Sequence, residues 1–152
     1  MMSLAGLRPM AEKLFSDVRE LTFDGVGVTR QSYGRGESDT ADYLRAFAAS
    51  EGLEVRADRA ANLVFGLPQT AAASAVTWCG SHIDSVPQGG NFDGYAGVVA
   101  GLLCLVAQKA GGTPYARPLE VVAFRGEESA WFGKAYICLL YTSDAADEGL
   151  GV

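Results

Sequence analysis

An α/β fold is predicted for this 152-residue chain, and two features carry the prediction. Segments with helical periodicity alternate with short apolar runs rich in β-branched residues, as in a sheet whose strands are joined by helices. Polar and glycine residues gather directly after the apolar runs, where an open α/β sheet places its functional loops.

Taken in order, Leu4, Leu7, Ala11, Leu14, Phe15, Val18 and Leu21 recur at helical spacing with charged residues between them, which predicts an amphipathic helix and not a secretory signal. Asp24 to Gly36 is polar and glycine-bearing, a loop. Ser38 or Asp39 is placed to cap a second helix that carries Ala41, Leu44, Phe47 and Ala48 on one face and stops at Gly52. Leu53 to Ala57 and Asn62 to Leu67 read as two short strands turning at Asp58-Arg59, and Pro68 to Ser74 as a small-residue loop. Ala75 to Cys79 is a continuous apolar run expected as a buried parallel strand. Ala96 to Ala110 is apolar nearly all round, a buried helix broken by Gly111-Gly112 and Pro114. Leu119 to Phe124 is another buried strand, and Glu127 to Tyr136 the start of a further helix.

Composition narrows the function classes. With 49% hydrophobic and 20% charged residues, the chain is composed like one globular domain or a piece of a larger one. A formal net charge of −6, with the Lys and Arg residues scattered, argues against a nucleic-acid partner. No stretch approaches the ~18 consecutive apolar residues of a membrane span. The 3 cysteines are odd in number and lack metal-type spacing, so neither a disulfide framework nor a zinc knuckle is indicated. Cys79 stands at an odd offset from His82 on the same strand, which puts the two on opposite faces and makes Cys79 a core residue. A cytoplasmic location is expected.

The chemistry-bearing residues surround the chain's 1 histidine, His82. It opens the run Gly80-Ser81-His82-Ile83-Asp84-Ser85-Val86-Pro87-Gln88-Gly89-Gly90-Asn91-Phe92-Asp93-Gly94, and the pair Glu127-Glu128 follows the last strand. Asp84 lies on the same side of an extended segment as His82, so it can take one imidazole N–H and leave the other nitrogen for a metal. By itself His-x-Asp is a common pair, and Asp93 before a helix is ordinarily an N-cap. Glu127 and Glu128 are likewise ordinary in a helix's first turn, where the macrodipole favours acidic residues. A metal site would use them differently, with one carboxylate as ligand and its neighbour handling protons. Imidazole and carboxylates together suit zinc or manganese.

Gly80 to Leu102, the run Val121-Val122-Ala123-Phe124-Arg125-Gly126-Glu127-Glu128-Ser129-Ala130-Trp131-Phe132, and Thr29-Arg30 with Asn62-Leu63 resemble the hydantoinase/carbamoylase family of zinc-dependent amidohydrolases. That family contains N-carbamoyl-L-amino-acid hydrolases and allantoate amidohydrolases. The resemblance implies a three-layer α/β/α catalytic domain of the co-catalytic zinc aminopeptidase type, here truncated. It implies two divalent metal ions, zinc or manganese, with His82 on the first, Glu128 on the second and Asp93 bridging both. Glu127 would be the general base and Asp84 would orient His82. Hydrolysis of a carbamoyl or ureido C–N bond in a small-molecule substrate is the implied reaction, in a parent enzyme that dimerises through a further domain.

Residues 1–137 therefore read as the N-terminal part of the catalytic domain. From Cys138 the helical pattern is abandoned, and residues 138–152 resemble a translated sequencing-adapter tail, so the native sequence is expected to stop near Ile137. The family completes its metal sites with two later histidines, so the chain alone is expected to be inactive and, with an unpaired sheet edge, prone to aggregate. Two alternatives stay open: a deacylase or dipeptidase of the same fold, and a non-catalytic binding protein in which these carboxylates are helix caps.

Overall fold

The computed structural model describes residues 4–68, 70, 75–111, 116–135 and 137. Strands β1 (Glu54–Ala57), β2 (Leu63–Gly66), β3 (Thr77–His82) and β4 (Leu119–Phe124) form a 4-stranded sheet in the order β1-β2-β4-β3. The chain reverses between β1 and β2 because Asp58 Oδ1 accepts from the amides of Ala60 and Asn62, while Asp58 Oδ2 takes the Asn62 side-chain amide. β2 pairs antiparallel with β4, and β3 pairs parallel with it, so the sheet is mixed.

Helix α3 (Tyr95–Lys109) makes the crossover that parallel pairing of β3 and β4 requires. It packs with α1 (Leu4–Thr22) and α2 (Arg35–Ser50) on the sheet face carrying Leu63, Phe65, Val121 and Ala123. Leu14, Val18, Leu44, Leu102 and Leu105 close that core from the helix side, each at most 1% exposed. Each such side chain contributes on the order of 1.5–3 kcal/mol by leaving water. On the opposite face Val64 and Val122 are also buried, and Glu120 Oε2 accepts from Trp78 Nε1 and Arg56 Nη2, both at 2.8 Å.

The α/β expectation therefore holds, with local differences. α2 starts at Arg35 with Gly34 as N-cap, not at Ser38 or Asp39. Glu37 on the first turn reaches back to the Tyr33 amide at 2.7 Å, which replaces the expected side-chain cap. Ser38 instead accepts from Arg125 Nη2. β3 is parallel as expected but is an exposed edge, with Trp78 61% exposed. Cys79 does face away from His82, yet at that edge it is exposed rather than core. Of the helix expected over Glu127 to Tyr136, the described residues form α4 (Ser129–Phe132), which ends where Gly133 takes a left-handed conformation (φ 67°). The tail expected at residues 138–152 and the breaks at Gly112 and Pro114 lie outside the described residues. Among the described residues no helix is long and apolar enough to cross a membrane.

Close approach of α3 to the sheet depends on Gly101, where an added Cβ would sit 2.6 Å from Val121 Cγ1. Gly101→Val is expected to destabilise the chain by about 1–3 kcal/mol through overpacking. Gly90→Ala, with nothing within 4 Å of its added Cβ, should stay within about 0.5 kcal/mol. Urea-unfolding midpoints of the two variants check the contrast.

Candidate functional site

All the singled-out residues meet at the carboxyl ends of β3 and β4. His82 is the last residue of β3, Asp93 lies in the turn before α3, and Glu127-Glu128 follow β4 after Arg125-Gly126. His82 Nε2 lies 3.8 Å from Asp93 Oδ1 and 3.6 Å from Glu127 Oε2. His82, Asp93 and Glu128 each offer one ligand atom, all within 4.8 Å of one another and all half-buried. Gly94 makes this convergence possible: it has φ 59°, and a Cβ there would overlap the His82 ring.

The imidazole is oriented from its other nitrogen. Nδ1 lies 3.0 Å from the Asp84 carbonyl oxygen and 3.4 Å from Asp84 Oδ1. Both are acceptors, so the proton belongs on Nδ1 and Nε2 is left to face Asp93 and Glu127. The nearer partner of the ring is thus the carbonyl of Asp84, while its carboxylate has a wider task. It is fully buried and accepts the Ser32 hydroxyl together with the Glu127 amide at 3.1 Å and the Glu128 amide at 2.9 Å. Burial alone would raise the Asp84 carboxyl, but its bonds from His82, Ser32 and the two amides outweigh this and hold it below the ordinary range. Burial would likewise lower His82, yet the Asp84 side chain and carbonyl, with the charges of Asp84 and Glu127, leave it raised. Glu128 is raised by burial and then by the neighbouring charge of Asp93.

A second buried network sets the turn before Glu127. Glu37, fully buried, pairs with Arg125 Nε at 2.7 Å and accepts the Gly126 amide at 2.9 Å. The Arg125 guanidinium lies over the Tyr33 ring, and the Arg125 amide donates to Asn62 Oδ1. Glu37 and Ser32 gave no sequence signal, since each looks like an ordinary polar residue of a loop or helix start. Arg30, fully buried, donates from Nε to the Ile83 carbonyl and from Nη2 to the Asp93 carbonyl.

The helix-cap alternatives do not describe these carboxylates. Gly94, not Asp93, is the N-cap of α3, and that end has no side-chain cap hydrogen bond. Glu127 precedes α4, and Glu128 stands at its N-cap without capping it through its side chain. What the arrangement offers is one imidazole nitrogen and two carboxylates converging on a common point, with a further carboxylate beside them.

The same stretch of sequence and the same fold occur in known proteins. An N-carbamoyl-L-amino acid amidohydrolase of Geobacillus stearothermophilus is 40% identical over 125 residues, covering 80% of this chain and 31% of that protein. The crystal structure of an amidase of the hydantoinase/carbamoylase family from Burkholderia vietnamiensis superposes with a TM-score of 0.74 at 29% identity, over 84% of this chain and 31% of that one. By sequence and by fold, this chain matches part of the hydantoinase/carbamoylase amidases. An allantoate amidohydrolase of Escherichia coli is 38% identical over 109 residues, 70% of this chain and 26% of that protein. The chain thus spans about a third or less of the length of these relatives. No family model matches it.

Asp84 carries a stability prediction. Asp84→Ala leaves two amides and a hydroxyl without an acceptor in a buried site, at about 1–3 kcal/mol each, so a loss of at least about 3 kcal/mol is expected on urea unfolding. Because the Asp84 pKa is lowered on folding, its contribution is full above the ordinary carboxyl value of 3.8 and is lost as pH falls through the folded value. Asp84→Asn should therefore flatten the acid limb of the stability–pH curve.

Proposed function

We propose that this chain is the metal-binding part of a hydrolase that cleaves linear carbamoyl or ureido C–N bonds, with N-carbamoyl-L-amino acids and allantoate as the substrate class. The observation that carries this reading is the convergence of His82, Asp93 and Glu128 within 4.8 Å. The names of the relatives from Geobacillus stearothermophilus and Escherichia coli support the substrate class.

The donor set fits zinc or manganese: one neutral imidazole nitrogen, freed by the hydrogen bond at Nδ1, and two carboxylates. In this reading His82, Asp93 and Glu128 would hold the divalent ions. A bound divalent cation supplies polarisation of the substrate carbonyl and a water acidic enough to give up its proton near neutral pH. Glu127, beside the triad with its Oε2 3.6 Å from His82 Nε2, would be the base that accepts a proton from the attacking water. The water oxygen adds to the carbonyl carbon, the C–N bond breaks, and Glu127 returns the proton to the departing nitrogen. Asp84 holds Glu127 and Glu128 by their amides, so the base and the ligand are presented together.

Three donors, one of them shared, give each of two ions two protein contacts, fewer than the roughly three of catalytic zinc. The 152-residue chain is accordingly expected to bind zinc weakly, to lose that binding in His82→Ala, and to leave N-carbamoyl-L-amino acids and allantoate unhydrolysed. Calorimetric zinc titration and a product assay check this; metal-dependent turnover by the chain alone, abolished in Glu127→Gln, would overturn it. In a protein of the relatives' full length that carries this sequence, Glu127→Gln should lower turnover about 10²–10⁴-fold with metal content unchanged. No metal uptake by that longer protein would sink the proposed function.

A further inference from the structure

Arg30 is buried more completely than its hydrogen bonds justify. Its side chain is 0% exposed, and Nη1 has no hydrogen-bond partner among the described residues. An orphaned buried donor and a desolvated charge both oppose stability, so a long apolar side chain would suit that space better if packing were its only task. Groups that break such rules are expected where function demands them.

What the guanidinium touches is specific. Nε donates to the Ile83 carbonyl at 2.6 Å, between His82 and Asp84, and Nη2 donates to the Asp93 carbonyl at 2.7 Å. The guanidinium carbon lies 5.7 Å from the centre of the Tyr95 ring, in the first turn of α3. Its own backbone is fixed first: the Arg30 amide donates to Ser85 Oγ at 3.0 Å, and the Ser85 amide donates to the Arg30 carbonyl at 2.9 Å. The planar fork therefore spans from the end of β3 to the turn before α3, the two segments that carry His82 and Asp93. A lysine ammonium is a point donor on a flexible stem and lacks the rigid fork that fixes both directions.

We propose that Arg30 is a positioning residue for the triad, its fork setting the separation of the His82 imidazole and the Asp93 carboxylate by gripping the Ile83 and Asp93 carbonyls together. This rests on the reading of His82, Asp93 and Glu128 as a metal site. The charge places a fixed cation behind Asp93, which also limits carboxylate repulsion while no cation is bound.

Zinc titration of the 152-residue chain against a chromophoric chelator tests it, with cobalt(II) absorption as a second readout of the donor set. Arg30→Lys and Arg30→Met are expected to weaken zinc binding about 10–100-fold and to change the cobalt spectrum. Leu44→Ala, a cavity in the core on α2, should lower the melting temperature and leave the zinc affinity and cobalt spectrum as in the wild type. Arg30→Lys keeps the charge and most of the volume, so it decides the matter if Arg30→Met fails to fold. Unchanged zinc affinity in Arg30→Lys, or an equal loss in Leu44→Ala, overturns the positioning role while the metal site stands. A wild-type chain whose weak zinc binding is the same as that of His82→Ala and Asp93→Asn overturns the metal site and the positioning role together.

Discussion

Burial of the Asp84 carboxylate against the Ser32 hydroxyl and the amides of Glu127 and Glu128 joins three segments that are distant in sequence: the loop before α2, the end of β3 and the turn after β4. A buried carboxylate left without donors would be costly, so the three segments must close together or not at all. Its carbonyl meanwhile holds the His82 ring. One residue thus fixes the histidine through its main chain and the glutamate pair through its side chain. The parallel pairing of β3 with β4 makes this possible, because it brings both strand ends to the same edge of the sheet.

The buried ion pair of Glu37 and Arg125 works on the same turn from the other side. Such pairs add little net stability once desolvation is counted, but removing one partner leaves an uncompensated charge. Here the pair selects a geometry. Glu37 takes the Gly126 amide and the Arg125 side chain, while Asn62 takes the Arg125 amide, so the backbone entering Glu127 is held at every step. The start of α2, the turn before β2 and the segment after β3 therefore constrain a short turn, which keeps Glu127 beside His82 instead of turned to solvent.

Much of this was legible in the sequence, for identifiable reasons. Periodicity located α1 and α2, and near-continuous apolar composition located α3, because all three meet one core. The strands were visible because β-branched runs sit between turn residues such as Asp58 and Gly89. The site was visible because His82, Asp93, Glu127 and Glu128 all lie just after apolar strands or between a strand and a helix. Hidden were the interactions that depend on tertiary approach. Glu37 looks like a first-turn acid until Arg125 is brought to it, and Ser32 is an ordinary loop serine until Asp84 is buried against it. The exposure of β3 was also hidden, since an apolar strand reads as buried whether or not a neighbour covers it, and Cys79 was misplaced for that reason.

The proposed cation has an electrostatic rationale at the strand ends. Asp84, Asp93, Glu127 and Glu128 crowd one imidazole, and Glu128 is already raised by burial and by Asp93. Arg30 is a positive charge close to Asp93 and Asp84, and it grips main-chain carbonyls rather than the carboxylates themselves. Arg125 is taken by Glu37. Protonating Asp84 would weaken an acceptor that the Glu127 and Glu128 amides and the Ser32 hydroxyl use, so the buried carboxylate stays ionised. A divalent ion, as proposed, would offset the crowding of the other carboxylates while leaving them ionised, since its charge would invert the local preference. That a glycine, Gly94, clears the space around the imidazole is consistent with the same demand: the backbone gives way so that His82 and Asp93 can face one another.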